Sequence, residues 1–228
     1  MPAFVRGTTW LQAVAALRGA HGIVTIGHVG ALDPRLAVVN ADGERVGEVT
    51  KLMETGDSPL FSCLALVPTL EAGAASVLAN QDGTMTWKLT EVRADGSVAQ
   101  QVALDSLALA STCPIVTPSK RGLTVGLVTV EGDLHPYSVV DGLVAELTAP
   151  ISPNAFDSGV RFLTETMSGL RVFASSEGRN RMANVGPDGD VNWIEGDLPA
   201  GVPIASEAGA LFLLVTSLEE PRNSYIAE

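Results

Sequence analysis

The chain has 228 residues, of which 46% are hydrophobic and 18% are charged. This length allows a sizeable buried core, and the apolar share excludes an intrinsically disordered chain. The 14 Lys and Arg residues against 26 Asp and Glu residues leave a net charge of −12 at pH 7. A charge of this sign repels phosphate backbones and anionic membrane surfaces, so we expect neither a nucleic acid nor a membrane as a partner.

The chain also lacks targeting and metal-binding patterns. It has no run of 18 apolar residues, and residues 1–6 lack the basic segment followed by an apolar stretch that marks a secretory signal. We therefore expect a cytoplasmic location. Cys63 and Cys113 do not cluster with each other or with the three histidines, which predicts two buried free thiols, no metal site and no cofactor.

Taken in chain order, the sequence is dominated by strand patterns. Residues 8–18 fit a short amphipathic helix and a strand almost equally. Later runs are rich in β-branched residues and bounded by turn signals, which predicts strands. These runs are HGIVTIGHV (21–29), RLAVVNADGERVGEVTKL (35–52), TMTWKLTEVRADGSVAQQVAL (84–104), GLTVGLVTV (122–130), GLVAELTA (142–149), GLRVFAS (169–175) and GALFLLVTS (209–217).

Asp-Gly pairs begin at positions 42, 82, 95, 141 and 188. The pair tolerates the positive φ angles of tight hairpins, so the strands are expected to form an antiparallel sandwich or barrel. No strand is regularly followed by a helical pattern, which disfavours a parallel α/β fold. A change in composition at 110–118 predicts a boundary between two β-units, 1–110 and 111–228.

Two residues, His28 and Ser158, are candidates for nucleophilic catalysis. His28 lies at the end of the predicted strand that begins at Gly22, and Ser158 lies between Asp157 and Gly159 just before another predicted strand. A serine hydroxyl becomes a nucleophile when a base takes its proton and backbone N–H groups stabilise the oxyanion. Taken singly, a histidine in this position is more typical of an ordinary strand end than of a catalytic base. A serine between Asp and Gly is likewise more typical of an ordinary turn than of a nucleophile.

Five segments in order, GIVTIGHV, SPLFSCLALV, SKRGLTVGLVTV, AFDSGVRF and GLRVFASSEG, together resemble the trypsin-like, chymotrypsin-fold serine proteases. The resemblance implies an all-β fold of two antiparallel β-barrels packed with a cleft between them. Residues 1–110 would form the N-terminal barrel and 111–228 the C-terminal barrel. It also makes His28 the general base and Ser158 the nucleophile of peptide-bond hydrolysis.

Two positions depart from the family pattern. Cys63 stands where the family has the aspartate that orients the histidine, and loss of that carboxylate typically costs about ten-thousand-fold in rate. The resemblance places the oxyanion hole at Phe156, Asp157 and Ser158, with Phe156 in the place of a glycine. Asp57, on a neighbouring predicted loop, is the candidate to replace the missing carboxylate.

By the same resemblance, a substrate pocket would have its base near Ser152 and its wall at Ala174, Ser175 and Ser176. None of these is acidic, so small or apolar substrate side chains are expected there. The sequence thus predicts a serine endopeptidase homologue with impaired catalysis, acting on a peptide or protein. Two alternatives remain open: an inactive protease-like domain that serves as a protein-binding or structural module, and an unrelated β-sandwich binding module. Trp10, Trp87 and Trp193 are expected to be core or rim residues rather than a sugar platform.

Overall fold

The structure is a computed structural model that describes most of the chain. The described residues are 10–16, 22–27, 35–40, 42, 44–52, 58–68, 72–81, 84–104, 114–119, 121–129, 131–156, 160–166, 169–176, 179–196, 201–205, 211–216 and 224–227. It describes the backbone alone, without side chains, for residues 10–16, 22–27, 58–68, 72, 74–81, 84–85, 153, 161, 175–176, 201–205, 211–216 and 224–227.

These residues form consecutive antiparallel strands that group into sheets in chain order. The first sheet contains β1 (Trp10–Ala16), β2 (Gly22–Gly27), β3 (Arg35–Val39) and β4 (Arg45–Lys51). The second contains β5 (Ser58–Pro68), β6 (Ala72–Gln81), β7 (Thr84–Arg93) and β8 (Val98–Leu104). The third contains β9 (Ile115–Pro118), β10 (Leu123–Val128), β11 (Leu134–Val140) and β12 (Leu143–Glu146).

The fourth sheet contains β13 (Val160–Thr166), β14 (Gly169–Ser176), β15 (Arg179–Val185) and β16 (Val191–Trp193). The fifth contains β17 (Gly201–Ala205), β18 (Leu211–Thr216) and β19 (Ser224–Ala227). A short 3-10 helix, Pro153–Ala155, precedes β13. Each sheet is a meander in which every strand pairs with the next one along the chain.

The prediction of an all-β fold is confirmed, and the segment that also fitted a helix forms strand β1. The closed barrels expected from the protease resemblance are not seen among the described strands. Each sheet ends in two edge strands that do not pair with each other. No helix in the described ranges has the length and apolar character to cross a membrane.

The third connection of each four-stranded sheet contains an Asp-Gly pair in its sequence. Such a pair occurs in sequence between β3 and β4, β7 and β8, β11 and β12, and β15 and β16, at intervals of roughly 50 residues. In the third sheet, Asp141 and Gly142 both have positive φ, 49° and 79°, as a two-residue type I′ hairpin requires. The predicted role of these pairs in hairpins is therefore confirmed at this turn.

The chain divides into two compact units, Met1–Pro114 with Val140–Val144, and Ile115–Val139 with Ala145–Glu228. In the first unit, β3 and β7 contribute the central apolar side chains. Leu36, Val38, Trp87, Leu89 and Val92 are each at most 2% exposed. The sheets approach closely at Gly47, where an added Cβ would overlap the Asp95 carbonyl, so a side chain is excluded there.

In the second unit, the main described core lies on one face of the fourth sheet. It consists of Leu134, Ile151, Leu163, Leu170, Val172, Ala183 and Val185. The Thr117 hydroxyl of β9 donates to the Leu163 carbonyl of β13, and this bond joins the third sheet to the fourth. Gly126 leaves room for this packing, because a Cβ there would lie 2.5 Å from Leu163 Cδ2.

Candidate functional site

Four residues of the proposed catalytic site, His28, Asp57, Asp157 and Ser158, lie outside the described residues. The strands that flank two of them are described: β2 ends at Gly27, immediately before His28, and β13 begins at Val160, two residues after Ser158. The base and nucleophile pair therefore stays a prediction.

Cys63 lies within β5, in a stretch where pairing with β6 is irregular. Regular register holds up to the Leu60↔Leu78 pair and resumes at Ala65↔Ser76. The backbone at Cys63 thus lies in the irregular stretch between two regularly paired segments of β5. Its side chain is outside what the structure describes.

The predicted pocket wall belongs to β14. Ala174 is completely buried, with 0% exposure, between its strand partners Val160 and Arg181. Ser175 and Ser176 continue the strand opposite Asn180 and Arg179, with only their backbone described. The Ala174 methyl group is therefore an interior packing element of the fourth sheet.

A solvent-open cleft of about 420 Å³ lies at the β16 edge of this sheet, between β16 and the 3-10 helix. We call it the β16 cleft. It is lined by Ser152, Asn154, Ala155, Gly189, Asp190, Val191 and Trp193. Of the residues predicted for substrate binding, Ser152 lies in this cleft and Ala174, Ser175 and Ser176 do not line it.

The two walls of the β16 cleft are tied together by backbone contacts. Ile151 exchanges N–H···O bonds of 3.0 and 2.9 Å with Leu134, which anchors the start of the 3-10 turn to β11. The Ala149 N–H donates to the Pro187 carbonyl over 2.7 Å. Gly189 packs so closely on the Pro150 carbonyl that a Cβ would lie 2.7 Å from its oxygen. The cleft is consequently a preformed feature of the second unit.

Trp193 is the aromatic centre of the β16 cleft. Its half-buried ring meets the Phe156 ring edge-on, with centroids 5.9 Å apart and an interplanar angle of 85°. The Arg181 guanidinium lies over the Trp193 ring at 5.1 Å from the centroid. Such contacts contribute about 0.5–1.5 kcal/mol for an edge-to-face pair and about 0.5–1 kcal/mol for an exposed cation–π pair. The indole is thereby held in a fixed orientation.

β16 is also an edge strand of its sheet within the described residues. The Gly186 N–H donates to the Asp190 carbonyl and the Ile194 N–H to the Met182 carbonyl, at 3.0 and 2.8 Å. Because hydrogen-bonded positions alternate in antiparallel pairs, Asn192 turns its backbone groups toward β15. Val191 and Trp193 therefore turn their N–H and C=O groups toward the open edge, while their side chains line the cleft.

The described residues bring together binding groups rather than a complete catalytic set. In the described ranges, no group of three or more His, Cys, Asp or Glu side chains is placed to hold a metal ion. Asn154 and Ser152 offer an amide and a hydroxyl, Asp190 offers a carboxylate, and Trp193 offers an aromatic surface. Such a set can orient and hold a ligand.

No known protein family matches the sequence, and no curated protein matches it either.

Sequence reasoning did not identify Asp190, Val191 or Trp193 as a joint site. The signal that could have found them is local: an apolar residue and a tryptophan alternate in Val191-Asn192-Trp193, directly after an Asp-Gly hairpin. Alternation after a hairpin predicts that the two side chains share one face of a strand. Phe156 and Ser152, which contact or line the cleft from another segment, could not be joined to it by spacing alone.

Proposed function

We propose that this protein is a non-catalytic binding module whose β16 cleft holds an extended segment of a peptide or protein. This is the inactive-domain alternative drawn from the sequence. The observation that carries the proposal is the joining of a preformed polar and aromatic cleft to a strand edge, at Val191 and Trp193, that no other described strand pairs with. Main-chain bonds along such an edge supply affinity, and a pocket beside it selects a side chain.

The environment of Phe156 supports a binding role over a catalytic one. The protease resemblance calls for a glycine at this position, whose backbone N–H would line the oxyanion hole. Phe156 instead packs against the second unit's main core and meets the Trp193 ring edge-on. Its side chain thus stabilises the aromatic wall of the cleft, a role that glycine could not fill.

The test is binding of a defined array of short, extended peptides, read out by fluorescence anisotropy. We expect a subset to bind at micromolar concentrations, and we expect Trp193→Phe and Asn154→Ala to weaken that binding several-fold. Asn192→Ala is the matched control, since Asn192 is exposed and does not line the cleft. Circular dichroism verifies the fold of each variant. Absence of binding across the array, or equal binding by the cleft variants, would refute the proposal.

A second candidate is the serine endopeptidase with impaired catalysis and a chymotrypsin-like arrangement of two β-barrels. The strand contexts of His28 and Ser158 support it, since β2 ends before one residue and β13 begins after the other. In this candidate Ser158 reacts with a fluorophosphonate probe, and the labelling is lost in His28→Ala. A folded protein that is not labelled at Ser158 would remove this candidate.

A further inference from the structure

The β16 cleft and the adjoining edge of β16 together indicate which class of ligand this protein binds. Resting on the proposed function, we infer that the ligand is a peptide segment that adds to β16 as a further strand and inserts a Lys or Arg side chain into the cleft beside Asp190 and Trp193. Backbone geometry accounts for the strand addition, and charge and aromaticity account for the basic side chain.

The register of the β15 and β16 pair leaves backbone groups of β16 directed away from β15. Val191 and Trp193 present two N–H donors and two C=O acceptors at the open edge, separated by the inward-turned Asn192. An incoming strand pairs with alternate residues of its neighbour, and this is the spacing it requires. The side chains of Val191 and Trp193 face the cleft, so a side chain of the added strand on the same face would enter it.

The hairpin before β16 and the residues that follow this strand carry negative charge. The sequence from 186 to 196 contains three carboxylates, Asp188, Asp190 and Glu195, and no Lys or Arg. Asp190 lines the cleft itself. The net charge of −12 adds a long-range attraction for basic ligands. An acidic side chain would meet repulsion at the same place, so the cleft discriminates by sign.

The Trp193 ring lies in contact with a cationic side chain. The indole already holds one guanidinium, that of Arg181, at 5.1 Å. An aromatic ring attracts cations through the negative potential of its face, and tryptophan does so best. Arg181 adds a like charge at the ring, whereas Asp190 contributes an opposite charge to the lining of the cleft. A ligand Lys or Arg would place its alkyl stem against Val191 and Trp193 and its charged end toward Asp190.

The first arm of the test compares three fluorescein-labelled peptides of alternating Thr and Val that differ at one central residue, Lys, Gln or Glu. We expect the Lys peptide to bind at least about fivefold more tightly than the Gln peptide, and the Glu peptide to bind most weakly. Asp190→Asn should remove most of this preference. Asp188→Asn is the matched control, because Asp188 is an exposed acid of the same turn that does not line the cleft.

The second arm tests strand pairing without changing the protein. The Lys peptide is N-methylated at alternate positions in two separate sets. One set removes donors that face β16 and should abolish binding, whereas the other removes donors that face solvent and should leave affinity within about twofold. Equal effects of the two sets would overturn the strand-addition inference.

The outcomes separate this inference from the proposed function. Peptides that bind at the cleft with no preference for Lys, and with no effect of Asp190→Asn, would overturn the basic-ligand inference and leave the binding module intact. Failure of every peptide would overturn both. A concentration-dependent dimer that competes with the peptide would assign the edge to a second copy of the chain and would also overturn the inference.

Discussion

Gly126 gives the sharpest test of how the second unit is packed. This glycine is buried in β10, and a Cβ added there would lie 2.5 Å from Leu163 Cδ2 and 3.0 Å from Leu134 Cδ1. Leu163 is 0% exposed and belongs to the main core of the second unit, so its side chain has little room to turn away. Gly126→Ala therefore forces the core to absorb one extra methyl group.

The expected magnitude has two opposing parts. Overpacking a core typically costs about 1–3 kcal/mol. Replacing a strand glycine by alanine recovers about 0.5–1 kcal/mol, because alanine loses less backbone freedom on folding. We expect Gly126→Ala to lower the free energy of unfolding by about 1–2 kcal/mol. In a Leu163→Val background, which removes the opposing δ-methyl group, the same substitution should become neutral or stabilising.

Urea unfolding followed by far-ultraviolet circular dichroism measures all four proteins of this double-mutant cycle. A coupling of about 1 kcal/mol or more between the two positions is expected from their direct contact. Additive effects of the two substitutions would show that Gly126 and Leu163 do not share a packing site. That result would contradict the overpacking of Leu163 as the cause of the lost stability.

Three further predictions concern backbone geometry and titration. Gly142→Ala should cost about 1–2 kcal/mol from its positive φ of 79° alone, since nothing lies within 4 Å of the added Cβ. Gly189→Ala, with φ of 83° and the Pro150 oxygen 2.7 Å away, should cost clearly more in the same urea assay, and an equal cost would contradict the close approach. Hydrogen bonds from the Ser97 hydroxyl and then the Ser97 N–H lower the pKa of Asp95 below 3.8. The stability that these hydrogen bonds to the ionised Asp95 carboxylate contribute is present above pH 3.8 and is lost as the pH falls through the lowered pKa. An NMR titration should show that Ser97→Ala raises the pKa of Asp95. Burial is the larger cause, and the Glu146 charge the smaller cause, of a Tyr137 pKa above 10.0. The stability associated with the protonated Tyr137 hydroxyl is present below pH 10.0 and is lost as the pH rises through the raised pKa. In an ultraviolet absorbance titration, Glu146→Gln should lower the pKa of Tyr137, and an unchanged pKa would remove Glu146 as a cause.

The β-class of the fold was predictable because local chemistry determines it. Runs of β-branched residues favour strands, and Asp141-Gly142 adopts the positive φ angles that a two-residue hairpin needs. The pattern of residues 8–18 was ambiguous because its apolar spacing fits both the helical and the strand period. Residues 10–16 of this segment pair with β2 and form strand β1. The recurrence of Asp-Gly in the third connection of four sheets is a repeat signal that the count of pairs alone did not reveal.

The β16 cleft was not predictable in the same way, because its parts come from separate segments. Trp193 and Val191 share a face by strand alternation, which sequence can anticipate. The edge-on contact of Phe156 with Trp193 and the guanidinium of Arg181 above the indole depend on tertiary packing. The burial of Ala174, which the resemblance assigns to a pocket wall, likewise depends on tertiary packing that the sequence pattern does not report.

Amide hydrogen exchange at β16 reports directly on whether a peptide adds to this strand. With the Lys peptide bound, we expect slowed exchange at the Val191 and Trp193 amides, which face away from β15, and little change at Asn192, which the register turns toward β15. Saturating peptide that leaves the Val191 and Trp193 amides exchanging at their original rates would contradict strand addition at β16.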